Sequence, residues 1–219
     1  MQNRRLLKKD QFGEIWLLTE NGENAVLRDT RSAVWWVAWL ARVLLRREAR
    51  ALAALRSLDG TPRLIKNDKY TLARSYMPGV PMFEGRPRDS GYFRAMARLS
   101  RSMHRLGVVH NDLAKEPNLL VRDDGSPAFV DFQLAWTTKR RGRLFRAAAR
   151  EDIRHLLKHK RTYRPDLLTA REHSILNTPS TPSRAWMSLA KPVYLFVTRR
   201  LFGWSDREGA ADRGRRNSR

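Results

Sequence analysis

The chain contains no cysteine, which excludes disulfide scaffolds, thiol nucleophiles and Cys-based zinc or iron–sulfur centres and suits a reducing compartment. Acidic residues are scarce. There are 22 Asp and Glu against 44 Lys and Arg, giving a formal net charge of +22 and a sequence pI near 11.4. No uncharged apolar run approaches the roughly 20 residues of a spanning helix. The longest near the amino terminus, Ala33–Ala41, is ended by Arg42. The basic opening, Met1–Asp10, has no apolar stretch behind it of the kind a signal peptide carries, so secretion is not expected. A Walker A loop is also missing, which excludes a P-loop nucleotide kinase. What is present is 42 % apolar and 9 % aromatic residues over 219 positions, enough core for one ordinary domain or two small lobes and too much for general disorder.

Strand grammar comes first. Gln11–Leu18 and Ala25–Arg28 flank Asn21-Gly22, a strong hairpin signal, and two or three antiparallel strands are expected between Arg4 and Asp29. Ala33–Leu58 changes to helical spacing, with Ala41, Leu45, Leu52 and Leu55 on one stripe and Glu48 on that same stripe. A second strand pair is expected over Arg63–Ile65 and Tyr70–Tyr76, then a connector at Met77–Pro81. Tyr92–Leu106 reads as a helix with Phe93, Met96, Leu99, Met103 and Leu106 inward and Gly107 as its cap. After Val108-Val109 and a polar loop, Leu119–Val121 and Ala128–Val130 form hairpin arms around Asp123-Asp124-Gly125-Ser126.

Chemistry concentrates in His110-Asn111-Asp112-Leu113-Ala114-Lys115-Glu116-Pro117-Asn118 and in Val130-Asp131-Phe132-Gln133 after that hairpin. An Asp and an Asn in one loop, with a second Asp at a strand end, is what phosphoryl transfer from ATP requires. One carboxylate orients the acceptor hydroxyl, while an Asn oxygen and another carboxylate hold magnesium. In these segments the chain resembles the protein-kinase-like superfamily, and more closely its small bacterial lipopolysaccharide-core sugar kinases (Kdo and heptose kinases), with RIO-type kinases a further relative. The resemblance spans most of Gln11 to about Tyr163.

That resemblance implies ATP and Mg2+ as cofactors and a set of site residues. Asp112 would orient the acceptor hydroxyl or take its proton, and His110 would brace the catalytic loop. Asn118 and Asp131 would ligate magnesium. Arg28 stands where the family has Lys, and Glu48 would be its helix partner, since a carboxylate on an apolar stripe needs one. Gly13 would belong to a shortened nucleotide-covering turn. Three positions depart from the family pattern: Arg28 for Lys, Gln133 for Gly, and Asn118 six residues after Asp112, one more than is common. No activation segment ending in Ala-Pro-Glu is present, which argues against a peptide-docking kinase. A helical pair, His155 and His159, lacks the Glu of a zincin and reads as a solvated basic face.

The excess charge is uneven, with eleven Lys/Arg and two acids between Lys139 and Arg164. Apolar aromatic segments lie beside it: a Trp35, Trp39, Val43 stripe and the basic run Lys191–Trp204, either of which could pack on the lobes or lie in an anionic membrane surface. No nucleic-acid module is evident, and the aromatics cluster with aliphatics instead of interleaving with Arg, so no specific nucleic-acid partner is expected.

The expected fold is α+β and bilobal, protein-kinase-like, with a small antiparallel-sheet N-lobe (1–76) and a reduced, mainly helical C-lobe (77–180). A basic amphipathic helical segment (181–204) and a disordered basic tail (205–219) follow. The expected activity is Mg-ATP-dependent phosphotransfer to an alcohol. The resemblance implies a lipid-linked lipopolysaccharide-core sugar as acceptor, with a protein Ser/Thr hydroxyl as alternative and a catalytically silent kinase-like scaffold, binding acidic membrane or nucleic acid, as a third reading. A cytoplasmic location, peripheral on the inner face of a bacterial inner membrane, goes with the first.

Overall fold

Glu20 and Glu23 face each other across the second hairpin of the chain, whose turn carries Gly22 at φ 81°, a backbone region that glycine enters without penalty. The computed structural model describes residues 3–20 and 22–178. Strands β1 (Asn3–Asp10), β2 (Gly13–Glu20) and β3 (Glu23–Asp29) are followed by helix α1 (Ala38–Ala54), then by β4 (Leu64–Asn67) and β5 (Thr71–Ser75). The five strands form one antiparallel sheet in the order β1-β2-β3-β5-β4.

Helix α1 is shorter than the spacing suggests at both ends. The chain before it is drawn into turns: the Ala33 amide donates to Thr30, the Val34 amide to Gln11 and the Val37 amide to Val34. Trp35 and Trp36 therefore precede the helix. Within it the expected stripe is inward, with Ala41, Leu45, Leu52 and the capping Leu55 all buried and Glu48 at 0 % exposure among them.

The second half begins with a short strand, β6 (Val80–Pro81), at the end of the expected connector, then α2 (Met82–Gly85) and α3 (Ser90–Arg105). On α3, Phe93, Met96, Leu99 and Met103 are buried as expected, whereas Leu106 falls at the cap and is exposed. Gly107 has φ 78°, and a Cβ there would meet the Thr138 carbonyl, so the cap also permits a close crossing. The Thr138 amide donates back to Gly107 at 2.9 Å. β7 (Val108–Val109) leads into the polar loop; β8 (Leu119–Val121) and β9 (Pro127–Phe129) are the expected hairpin, which β6 extends to three strands. β10 (Trp136–Thr137) pairs with β7, and α4 (Arg143–Tyr163) follows.

One apolar core joins the two halves: Leu45, Leu52 and Leu72 from the sheet side meet Met96, Met103, Leu119, Phe129 and Phe132. Residues 1–167 form one compact unit, which contains the position of the expected 76/77 division between β5 and β6 and ends short of the expected C-lobe limit at 180. A second unit starts at Leu168. In its described part α5 (Ala170–Asn177) opens on a capping box, the Thr169 hydroxyl accepting from the Glu172 amide while the Glu172 carboxylate accepts from the Thr169 amide. The segment 181–204 and the tail 205–219 fall outside the described residues. Among the described residues no helix is long and apolar enough to cross a membrane.

The His155–His159 face is less solvated than expected. His159 is buried, with Nε2 2.8 Å from the Leu113 carbonyl, and among the described residues no three or more His, Cys, Asp or Glu side chains cluster as a metal site would. Burial, reinforced by Lys158 against the opposing Glu151 and Asp152, pushes the His155 imidazole down to about 4. An unfolded chain would take up that proton near pH 6.5 while the folded one does not. Stability should therefore fall as pH drops from about 6.5 toward 4, and be flat above that window. His155→Gln should flatten the slope by on the order of 1–2 kcal/mol across the window, read from urea midpoints at pH 7 and pH 4.5.

Candidate active site

Strand register decides which arginine enters the site. Arg28 pairs with Ile15 and Leu72 in the middle of the sheet, and its side chain runs inward to Glu48, with Nε 3.3 Å from Oε2. Arg31 is turned outward instead and is held by Asp29. Glu48 is met from the other side by Arg74 of β5, whose Nε lies 3.1 Å from Oε1. Both contacts are ion pairs without aligned hydrogen-bond geometry, since neither Glu48 oxygen has a hydrogen-bond partner. A carboxylate this deeply buried is retained because two guanidiniums compensate it.

Arg28 reaches further. Its Nη2 is 3.8 Å from Oδ1 of Asp131, so one side chain bridges the helix carboxylate and the carboxylate after β9. Asp131 sits at φ 64° just before a 3₁₀ turn, Phe132–Leu134. Gln133 donates from Nε2 to Asp131 Oδ1 at 2.7 Å. Burial alone would raise the Asp131 pKa, but Arg28, the Gln133 donor, Arg74 and His110 outweigh it and hold the carboxyl below its usual range. Asp131 is therefore a carboxylate at neutral pH. With Arg28, Arg74 and Glu48 it makes a formally neutral quartet.

The loop with Asp112 is equally constrained. His110 is fully buried, its ring 4.6 Å from that of Phe132, with Nε2 3.0 Å from the Val130 carbonyl. Such a residue positions the loop and does not reach solvent. Asn118 donates from Nδ2 to both the backbone oxygen and Oδ2 of Asp112, each at 2.9 Å. Lys115 Nζ is 3.0 Å from the same Oδ2. The extra residue between Asp112 and Asn118 is taken up by turns, the Lys115 amide donating to Asp112 and the Asn118 amide to Lys115, with Pro117 inside a 3₁₀ turn at Glu116–Asn118. The longer spacing thus still brings Asn118 onto Asp112. The Val130 amide donates to the Asn118 carbonyl at 3.0 Å, which ties this loop to the strand end that presents Asp131.

Four residues of the arrangement are not singled out by the sequence. Asp152 of α4 is 1 % exposed and accepts from the amides of His110 (2.8 Å) and Asn111 (3.0 Å), with His104 Nε2 at 3.1 Å. Its signal is legible afterwards: it lies on a helical stripe with Phe145, Ala149, Leu156 and His159. Arg74 shares a strand face with buried Leu72. Arg47 donates to the carbonyls of Leu134 and Ala135 and so links α1 to the segment after Asp131. Lys115 has no signal beyond its place in the loop. Gly13 is accounted for by packing: at φ 124°, a Cβ would come 2.1 Å from the Asp29 carbonyl oxygen, so the β1–β2 turn requires glycine for its approach to β3.

Magnesium suits the donor set. With Asn118 Nδ2 committed to Asp112, its Oδ1 is the amide atom left for a cation, and Asp131 supplies a carboxylate. Magnesium usually takes one or two protein oxygens, with phosphates and water completing the octahedron.

No family model matches the chain, and no curated protein matches it in sequence. Solved structures do match. One is the Rio2 kinase–ADP/Mg2+–phosphoaspartate complex from Chaetomium thermophilum, with a TM-score of 0.56 and 16 % identity over 86 % of this chain. The chain spans 66 % of the length of that one. At that identity the likeness establishes the fold: the chain has an α+β, protein-kinase-like architecture.

Proposed function

We propose that this protein is a magnesium-ATP-dependent phosphotransferase acting on an alcohol. The observation that carries the reading is the bridge from Glu48 through Arg28 to Asp131, standing beside an Asp112 clamped by Asn118 and Lys115. Arg28 provides a fixed, always-charged fork toward phosphate oxygens, and Glu48, itself paired with Arg74, holds it in place. Asp131 and Asn118 Oδ1 would hold magnesium, which when bound would neutralise charge on the phosphates. Asp112, with Oδ2 committed to its own loop, uses Oδ1 to orient the acceptor hydroxyl and receive its proton. His110 and Asp152 fix the loop that carries it.

The acceptor proposed is a sugar hydroxyl on an anionic lipid, of the lipopolysaccharide-core kind. Two features support it. Only residues 132–142 separate Asp131 from α4, which leaves little chain for docking a peptide. An apolar surface patch, Trp35 (87 % exposed), Trp39 (61 %), Val34 and Val43, lies next to Arg42 and Arg46. Indole rings flanked by guanidiniums suit the headgroup level of an anionic leaflet, here the inner face of a bacterial inner membrane. Replacing Trp35 and Trp39 together with serine should lower co-flotation with phosphatidylglycerol-containing vesicles by about tenfold without changing the melting temperature. Unchanged flotation would remove the patch from the membrane reading.

The RIO-type protein-kinase reading is the second, favoured by the fold of the Chaetomium neighbour. Incubation with labelled ATP and either a lipid A-core acceptor or a generic basic protein separates the two. An acid-stable phosphate on the lipid supports the sugar acceptor, and one on Ser or Thr the protein acceptor. A hydroxylamine-labile phosphate on the chain itself would point to a phosphoaspartate, as in the Chaetomium Rio2 complex.

A further inference from the structure

Away from the Arg28–Asp131 cluster, an open cavity of about 450 Å³ lies between α3 and the start of α4. Arg101, Arg105, Arg141, Arg146 and Arg150 line it, with no acidic side chain in the lining. Arg101 and Arg105 are one turn apart on α3, as Arg146 and Arg150 are on α4, so two like-charged rails flank the cavity. Like charges at that spacing destabilise a helix. Among the described residues no Asp or Glu forms an ion pair with any of the five. Phe145 and Ile153 contribute an apolar floor.

We propose that this cavity is a binding site for a ligand carrying two or more phosphates and an apolar portion. Arginines on both sides of a cavity, without an ion-paired carboxylate among the described residues, are matched to phosphate, which a guanidinium can meet bidentately. The cavity volume falls in the range of small-molecule sites and suits a phosphorylated headgroup or sugar. The cavity is also joined to the catalytic loop. His104 lines it, and the Nε2 of His104 lies 3.1 Å from Asp152, the residue that holds the His110 and Asn111 amides. The binding claim stands apart from the phosphotransferase reading; only its relevance to turnover rests on that reading.

The test compares the full-length protein with Arg105→Gln/Arg146→Gln and with Arg50→Gln/Arg56→Gln, which removes the same charge from exposed positions of α1 and the turn after it. The probes are inorganic tripolyphosphate, by calorimetry in 150 mM salt, and phosphatidylcholine vesicles with 20 mol% phosphatidic acid. The expected result is at least a tenfold loss of affinity in the cavity variant alone. Loss for tripolyphosphate identifies a soluble phosphate as sufficient, and loss for vesicles alone identifies a lipid headgroup. As a check on folding, the cavity variant should melt at or above the wild-type temperature without ligand, because like-charge repulsion is relieved. Bound probe should raise the melting temperature of the wild type only. The proposal is overturned if neither probe binds the wild type, or if both variants lose affinity equally, which would mean diffuse charge attraction of the kind that also binds nucleic acid.

Discussion

Asp112→Asn is expected to lower magnesium-dependent phosphate transfer from ATP by about 10²–10⁴-fold while leaving the fold intact. Asparagine keeps the shape of the side chain and an oxygen able to accept from Asn118, which now donates to Asp112 Oδ2 at 2.9 Å. It removes the negative charge that pairs with Lys115 and the basic oxygen that would receive the hydroxyl proton. Stability should change little, because the ion pair with Lys115 is half exposed and such pairs contribute about 0–1 kcal/mol. Affinity for ATP should be nearly unchanged, since Arg28, Glu48 and Arg74 are untouched. The measurements are single-turnover transfer rate and ATP affinity on the same preparation. A rate within threefold of wild type would mean that Asp112 is not the group that handles the acceptor proton.

The second large effect is structural in origin. Asp152→Ala is expected to destabilise the protein by about 3–5 kcal/mol, a fall in melting temperature of roughly 10 °C, because one buried carboxylate serves three partners. Its loss strands the amides of His110 and Asn111 and leaves His104 without the oxygen 3.1 Å away. Asn111 is held at φ 63°, in the left-handed region that asparagine tolerates, and the Asp152 contact to its amide helps fix that conformation. The loop would relax first at Asn111 and Asp112. Turnover should therefore fall more than ATP affinity, and Asp152→Asn, which retains one acceptor oxygen, should recover part of both stability and turnover. A variant that lost ATP affinity and turnover equally would place Asp152 in general folding alone.

How much of this was legible in the sequence depends on whether a residue's partner was local. Glu48 stood out because an acid on an apolar stripe demands a counterion, and the structure supplies two, Arg28 and Arg74. Only Arg28 could be foreseen, since Arg74 comes from a strand brought alongside β3 by sheet order, which local patterning does not encode. Helix α1 starts later than its spacing suggests for a similar reason. Ala33–Val37 has helical spacing, but the Val34 amide is taken by Gln11 in the β1–β2 turn, and tertiary hydrogen bonding outweighs propensity. The hairpins at Gly22 and Gly125 were legible because turn chemistry is local. The one-residue insertion before Asn118 looked like a defect in the site, yet the 3₁₀ turn at Glu116–Asn118 absorbs it. The His155–His159 pair reads as a solvated basic face, whereas Asp152 on the same helix is buried and accepts from the His110 and Asn111 amides.

Asp131, beside Arg28 and Asn118, is proposed to form the metal-dependent half of a nucleotide site. Asp131→Asn tests it cleanly, because asparagine tolerates the φ of 64° that an alanine would strain. The measurement is equilibrium ATP binding across a magnesium titration for the wild type and this variant. The expected result is that magnesium tightens ATP binding to the wild type by at least about tenfold and that this enhancement disappears in the variant. ATP binding that is absent in the wild type, or that responds equally to magnesium in both proteins, would contradict the assignment.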